Sequence, residues 1–404
     1  MNSAVIVDTV RTASGRGKPG GALSGVHPAD LLAGTIRALI DRTGVDPALV
    51  DDVIAGCVSQ LGDQSANIAR TAALAAGLPE SVPATTVDRQ CGSSQQAVHF
   101  AAQGVLAGAY DVVIACGVES MSRVPLGSTW SVGDVFGPLR ARYAEFVFNQ
   151  GISAEIIAAR WGLDRGRMDD FAAASHARAA ATAAAGGFVG EIVPVPIDGA
   201  PGAAVPSGPG QVVVHTIDET VRPGTTAAGL GGLRPAFYDE ALGVRFPEIA
   251  WQVTAGNSSP LTDGASAALI MSQEMADRLG LRARARFHSF AVIGDDPMVM
   301  LTAVIPATRK VLTRSGLTID DMDVYEVNEA FASIPLAWAS EVGADESKLN
   351  PRGGAIALGH PLGASGTRIL ATMVNHLEHS GGRYGLWTMC EGGGLANATI
   401  IERL

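Results

Sequence analysis

The chain reads as an α/β protein made of two copies of one unit, with a segment inserted into the first copy. Three observations predict this: an internal repeat, alternating strand and helix signals in each copy, and lengths that match once the insertion is set aside. With 404 residues, the chain is long enough for two to three ordinary domains. Hydrophobic residues make up 47% and charged residues 17%, which excludes a disordered chain.

The repeat begins with helix, glycine stop, short acidic loop and buried strand. Arg42-Thr43-Gly44-Val45-Asp46-Pro47 leads into Val53-Ile54-Ala55, and Arg314-Ser315-Gly316-Leu317-Thr318-Ile319 into Val324-Tyr325-Glu326-Val327. Next, the strand-like Ala84-Thr85-Thr86-Val87-Asp88 enters a tight turn at Cys91-Gly92, then a helical stretch from Ser94 to Leu106. Its counterpart is the glycine-rich turn at His360 and the helical Ser365–Leu377. The buried strand Val112–Cys116 answers Leu386–Cys390, and Ala265–Met271 answers Ala396–Ile401. Equivalent points lie about 270 residues apart, a spacing that means duplicated domains.

The predicted division is therefore 1–121 plus 252–272 for the first half, 122–251 for the insertion and 273–404 for the second half. The halves then have 142 and 132 residues. The insertion carries an alanine-rich helix, Met168–Ala185, and Pro/Gly-rich stretches near 194–210 and 222–235, the composition of a cover. Both faces of each sheet are expected to be covered by helices, with the turns at Cys91 and His360 on one edge.

The net charge of −11 leaves no footprint for nucleic acid or an anionic membrane, so an anionic ligand must be caught by local arginines or helix N-termini. Four cysteines without metal spacing point to a reducing compartment. The opening Ala4-Val5-Ile6-Val7 is too short for a signal peptide, no apolar run approaches the ~18 residues of a membrane helix, and the C-terminus carries no peroxisomal address. A soluble, cytoplasmic protein is expected. Glycine is about 12% of the chain (49 of 404 residues) against about 7% on average. It clusters at 353–366 and 392–394, which predicts close backbone approach rather than flexibility.

Four short segments carry chemistry. Cys91 sits between a strand and a helix, where unpaired N–H groups and the helix dipole are expected to lower its pKa. Against this stands the ordinary burial of cysteine. His360 is the one histidine framed by glycines on both sides, which clears space around its ring. Cys390 opens Cys390-Glu391-Gly392-Gly393-Gly394 after a strand. The third glycine there exceeds what a turn needs and suggests backbone N–H groups shaped for an oxyanion. Asn328-Glu329-Ala330-Phe331 leaves the strand Val324–Val327, where capping of the next helix is the plainer explanation. Two cysteines and a histidine on equivalent elements supply a nucleophile, an acid/base and an oxyanion donor.

On the motifs Asp88-Arg89-Gln90-Cys91-Gly92-Ser93-Ser94, Asn328-Glu329-Ala330-Phe331, Gly359-His360-Pro361 and Cys390-Glu391-Gly392-Gly393-Gly394, the chain resembles the thiolases. Thr254-Ala255-Gly256-Asn257 and Val7-Asp8-Thr9-Val10-Arg11-Thr12 extend the match end to end. The resemblance implies a duplicated αβαβα core with an inserted loop domain and an acyl-CoA:CoA C-acyltransferase. Its substrates would be acyl-CoA and CoA, with no permanently bound cofactor and no metal, in a homodimer or homotetramer. It implies acyl transfer to Cys91, enolate stabilisation by His360 and a water on Asn328, proton transfer by Cys390, and an oxyanion site at the N–H groups of Cys91 and Gly392. CoA contacts carry over to Arg222, Leu233 and Ser259, with Met300, Ala330 and Phe331 around the acyl and pantetheine sites.

Three departures from the family pattern stand out. Gly229 replaces a frequent serine, Ser94 a frequent glycine, and Asn149-Gln150-Gly151 the His-Met-Gly of acetoacetyl-CoA-preferring relatives. In those relatives the methionine closes the acyl pocket, so a longer or bulkier acyl group is expected here, in fatty-acid or steroid degradation. The alternatives are an acetyl-CoA acetyltransferase making acetoacetyl-CoA, a ketoacyl-synthase-like reaction (disfavoured by the second cysteine), and a non-catalytic acyl-CoA-binding relative.

Overall fold

The computed structural model describes residues 3–143, 149–197 and 213–404. In the first half, strands β1 (Ala4–Thr12), β2 (Asp52–Gly56), β3 (Ala84–Val87), β4 (Val112–Ser120) and β5 (Thr262–Ser272) alternate with helices α1 (Pro28–Thr43), α2 (Ile68–Ala75) and α3 (Ser93–Leu106). The segment between β4 and β5 contributes α4 (Gln150–Arg160) and α5 (Arg165–Ala184). The second half holds β6 (Ala285–Gly294), α6 (Val304–Ser315), β7 (Val324–Val327), α7 (Ser333–Val342), α8 (Ser365–Ser380), β8 (Tyr384–Glu391) and β9 (Leu395–Arg403). Of the Pro/Gly-rich stretch near 194–210, residues 198–210 lie outside the described residues.

The duplication is visible in the pairing. The strand order is β7-β8-β9-β6-β1-β5-β4-β2-β3, so the halves read β1-β5-β4-β2 and β6-β9-β8-β7. Strand directions match throughout: antiparallel for β1/β5 and β5/β4, parallel for β4/β2, and likewise for β6/β9, β9/β8 and β8/β7. Even the register shift repeats, between Ile6 and Asp8 in β1 and between Phe287 and Ser289 in β6. Strand β3 is reduced in the second half to a single parallel bridge, Tyr325 to Leu349. The helices before β2 and β7 stop as the sequence predicts, on Gly44 and Gly316 at φ 67° and 74°.

The two sheets hydrogen-bond to each other at one corner, Val5–Arg286 and Ile6–Ala285. Elsewhere they are separated by α3 and α8, which pack against each other and against strands of both halves. Side-chain alternation along each strand explains why the sequence shows unbroken apolar runs. In β4, Val112, Ile114 and Cys116 face the outer core with α1, while Val113 and Ala115 face the central one with α3. In β8, Leu386 and Cys390 face the outer core with α6, while Trp387 and Met389 face the centre. The result is helix, sheet, helix pair, sheet, helix.

Glycine permits the closest contacts in this stack. A Cβ on Gly366 would lie 2.1 Å from the Gln95 backbone N, and one on Gly117 2.0 Å from the Gly363 carbonyl O. What the glycine cluster approaches is the backbone of the other half. Glu119, fully buried at the end of β4, binds across this seam. It accepts from the N–H groups of Val58 (3.0 Å), Ser59 (3.0 Å) and Gly363 (2.9 Å) and from the Gln64 amide (2.9 Å).

Gly366→Ala is expected to destabilise the fold by about 2–3 kcal/mol, the upper part of the range for overpacking, because its new atom meets backbone rather than a movable side chain. Gly34→Ala, on α1 with nothing within 4 Å of the new atom, should stabilise by about 0.5–1 kcal/mol. Denaturant midpoints of the two variants measured side by side check this, and equal midpoints would contradict it.

Candidate active site

The turn after β3 delivers Cys91. Gln90 takes φ 50°, in the left-handed region, and the chain reverses into α3, with Gly92 as its N-cap and no side-chain cap. Such backbone strain is held only where the surroundings over-determine it. Here Ser93 Oγ accepts from Arg89 N (2.9 Å) and donates to the Gln90 carbonyl (2.6 Å). A Cβ on Gly92 would overlap the Glu391 carboxyl. Cys91 itself is buried, 2% exposed.

Its own backbone N–H, that of Gly392 and the Gln150 side chain at the start of α4 act on the sulfur as donors and pull the thiol downward. They do not prevail, contrary to what the helix N-terminus alone led the sequence to predict. Burial, reinforced by Glu391, pushes Cys91 up to about 12. Desolvation of the thiolate outweighs partial charges that a loop without an aligned cap can offer. Cys390, buried on β8, is pushed well above its usual range by burial, then by Cys91 and Glu391, while the Asn328 side chain opposes the rise.

Asn328 joins this pair to the histidine. Its Nδ2 lies 3.2 Å from His360 Nε2, and His360 Nδ1 lies 2.6 Å from Ser365 Oγ. Ser365 Oγ in turn donates to the Pro361 carbonyl (2.9 Å). Burial, then Arg368, lowers His360 to about 3, so the ring is neutral at any working pH. Its loop is bolted to the first half: His360 N donates to Thr262 Oγ1 (3.0 Å), Ser266 Oγ to the Ala364 carbonyl (2.7 Å), and Thr367 N to Ser94 Oγ (3.1 Å). Ser94, the departure from the family glycine, therefore works at this seam.

The structure thus brings Cys91, Cys390, Asn328, His360 and Gly392 together. The glycine run after Cys390 has two explanations. Gly393 and Gly394 sit at φ 83° and 81°, which the turn requires, and Gly392 offers its N–H to sulfur. Glu329 does not cap the following helix. Its carboxylate accepts from Ser175 Oγ (2.7 Å), Asn350 Nδ2 (2.8 Å) and Ile356 N (3.1 Å), tying α5 and the 350–356 loop to the exit of β7.

A cleft opens beside the site, lined by His176, Thr220, Arg222, Leu230, Ser258 and Ile356 among others. Arg222 is held through its backbone N–H on His176 Nδ1 (3.2 Å), and its guanidinium makes no ion pair among the described residues. Leu233 and Leu230 pack over Gly256 at the rim. Ser259 N donates to the Ala330 carbonyl (2.9 Å), and Ser258 bridges Phe331. Met300 is buried in the same core as Phe331. Gly229 donates its N–H to Thr226 Oγ1 (3.1 Å), so a neighbouring hydroxyl stands near the missing serine's place but is engaged as a helix cap.

The sequence reading passed over Gln90, Ser365, His176 and Glu391, and it treated Gln150 only as a missing methionine. None of them carries a local signal, since each matters through what the fold sets beside it. With Cys91 near 12, iodoacetamide labelling of this residue should accelerate about tenfold per pH unit between pH 7 and 9. A plateau near neutrality, read by mass spectrometry, would contradict the protonated resting thiol.

The chain matches two family models, the thiolase N-terminal domain over residues 4–274 and the thiolase C-terminal domain over 281–403. It is 48% identical over 413 residues to steroid 3-ketoacyl-CoA thiolase FadA6 of Mycobacterium tuberculosis, covering all of this chain and 95% of that protein. It is 44% identical to a 3-ketoacyl-CoA thiolase of Pseudoalteromonas translucida over the full length of both. A crystal structure of the Bacillus anthracis acetyl-CoA acetyltransferase superposes with a TM-score of 0.88 at 35% identity, covering 100% of this chain and 99% of that one. Domain models that tile the sequence, full-length relatives and a common fold agree with the motifs at the seam: the chain belongs to the thiolase family.

Proposed function

We propose that this enzyme is a degradative 3-ketoacyl-CoA thiolase. Cys91 loses its proton to solvent and attacks the C3 carbonyl as thiolate, the C2–C3 bond breaks, the shortened acyl group stays on sulfur and acetyl-CoA leaves as its enolate. His360 and a water on Asn328 stabilise the enolate oxygen, and Cys390 gives the carbon its proton. Cys390 then takes the proton of an incoming CoA thiol, whose sulfur attacks acyl-Cys91; Cys91 leaves as thiolate and regains a proton from solvent, which restores the thiol pair. The observation that carries this reading is the convergence of Cys91, Cys390, Asn328 and His360 from two halves on one buried point.

The chemistry fits the environment. A neutral imidazole donates to an enolate without a buried positive charge, and Ser365 can bond either ring tautomer by rotating its hydroxyl. Asn328 Oδ1 is buried without a partner among the described residues, which suits it to hold the water. The N–H groups of Cys91 and Gly392 form the oxyanion site, where one such donor is worth about 2.7–4 kcal/mol. Two buried neutral thiols gain from developing charge being shared among these donors.

Coenzyme A, a co-substrate rather than a resident group, would lie in the cleft with its phosphates toward Arg222 and its pantetheine arm along Ser259, Ala330 and Phe331. Leu233 would cover the adenine, and Met300 would back the acyl site from the core. The inserted segment 122–251 would act as the cover, between the halves 1–121 plus 252–272 and 273–404. A homodimer or homotetramer in the cytoplasm follows by family analogy; no described helix is long and apolar enough to cross a membrane. Relatives named for 3-ketoacyl-CoA and for steroid substrates favour degradation, while the name of the Bacillus anthracis neighbour keeps acetyl transfer as the second reading.

Incubation with acetyl-CoA should leave one acetyl group, on Cys91. Cys91→Ser should lose turnover with its fold intact. Cys390→Ala should still form some acyl-enzyme but lose the following steps; full-speed turnover in that variant would contradict the role given to Cys390. In a thiolysis panel, longer or cyclic 3-ketoacyl-CoA should exceed acetoacetyl-CoA in kcat/KM by roughly tenfold or more. A strong preference for the four-carbon substrate would favour the second reading.

A further inference from the structure

The donor that the sequence did not anticipate is Gln150. It is the first residue of α4, and its side-chain amide is one of the donors that act on the Cys91 sulfur. Its Nε2 also lies 3.3 Å from where a Cβ on Gly392 would stand, with Gln90 Oε1 3.0 Å from the same point. The amide therefore sits beside Gly392, whose N–H is another donor to the same sulfur. Its placement is built rather than incidental. Asn149 caps the helix by accepting from Gly151 N (2.9 Å) and Ile152 N (3.3 Å). Gly151 lets the Phe237 ring close in, since a Cβ there would lie 2.2 Å from it, and Phe237 packs edge-on to Phe331 at 5.7 Å.

We propose that Gln150 is a further catalytic residue, donating through its side-chain amide to the Cys91 sulfur when it is the attacking and the departing thiolate. The two backbone donors alone leave a buried sulfur anion poorly solvated, and a hydrogen bond to a charged acceptor is about twice as strong as a neutral one. A methionine at this position has no N–H to give. The inference rests on Cys91 being the nucleophile, but it can be tested without substrate. The other charged or titratable groups on this side are Glu391 and Cys390 from β8 and Asp88 and Arg89 from the turn itself, with Asn328 and His360 beyond Cys390. Gln150 variants leave all of them in place.

The experiment is iodoacetamide labelling of Cys91, followed by mass spectrometry from pH 7 to 9, on the full chain and on Gln150→Met. Methionine keeps the volume and helix propensity, and the helix start depends on Asn149. Losing a charge-assisted bond should raise the thiol by about one unit. A thiolate of higher pKa is also a better nucleophile, which returns part of that loss. Labelling of Gln150→Met should therefore be about threefold to tenfold slower at every pH on the rising limb. Thiolysis kcat should fall with it, and circular dichroism should be unchanged. Equal labelling rates overturn the proposal. Gln150→Glu, which keeps the shape and adds a like charge, must slow labelling further than Gln150→Met; if Gln150→Met does not fold, this variant decides alone, and faster labelling overturns the proposal. Slowed labelling in a protein that cleaves no 3-ketoacyl-CoA would keep the donor and remove the thiolase reading. Normal thiolysis with unshifted labelling would do the reverse.

Discussion

Backbone meeting backbone at the seam between the two halves is the constraint on which the rest of this molecule depends. Gly56, Gly117, Gly363 and Gly366 bring main chains into contact where any side chain would overlap a carbonyl or an amide nitrogen. Glu119 then joins Val58, Ser59 and Gln64 of its own half to the Gly363 N–H of the other. Cys91 rides on one side of the seam and His360 on the other. Their separation is set by main-chain packing, which deforms far less readily than side-chain packing. A site spanning two domain copies needs this kind of join, because catalytic geometry tolerates errors of only a fraction of an ångström.

Burial governs the protonation of every group at the seam. It raises the thiols of Cys91 and Cys390 and lowers His360, so the resting site is neutral. Charge then appears only when chemistry begins, in surroundings whose donors are already in place, and preorganised donors stabilise charge without reorganising. Glu391 obeys the same rule: it is buried beside Cys91, and burial, opposed first by Arg89, pushes its carboxyl well above the usual range.

The acidic surface and the anionic co-substrate are reconciled locally. Arg222 stands in the cleft with a guanidinium that makes no ion pair among the described residues, whereas Arg11 near the seam is held by carboxylates. Arg11 bonds Glu191 (2.6 Å) and Asp218 (2.7 Å), tying β1 to the inserted segment.

The amino-acid order by itself determined the duplication, because a repeated unit leaves the same succession of glycine stops and apolar runs wherever it folds. It also marked Cys91, His360, Cys390 and Asn328 as the candidate site, since each stands in a short motif in the order of one family. It did not reveal β6, whose Arg286, His288 and Ser289 interrupt the apolar pattern on a strand that is partly exposed. It also misjudged the state of Cys91, because a local rule about helix termini cannot count the water that distant residues remove. What only the tertiary structure decided is how these groups meet: Gln150 from the inserted segment on the sulfur, Asn328 on His360, and Glu119 on Gly363 across 244 residues of chain. Periodicity is written locally by steric and hydrophobic preference, whereas burial and hydrogen-bond partnership arise only when remote backbones share the same space.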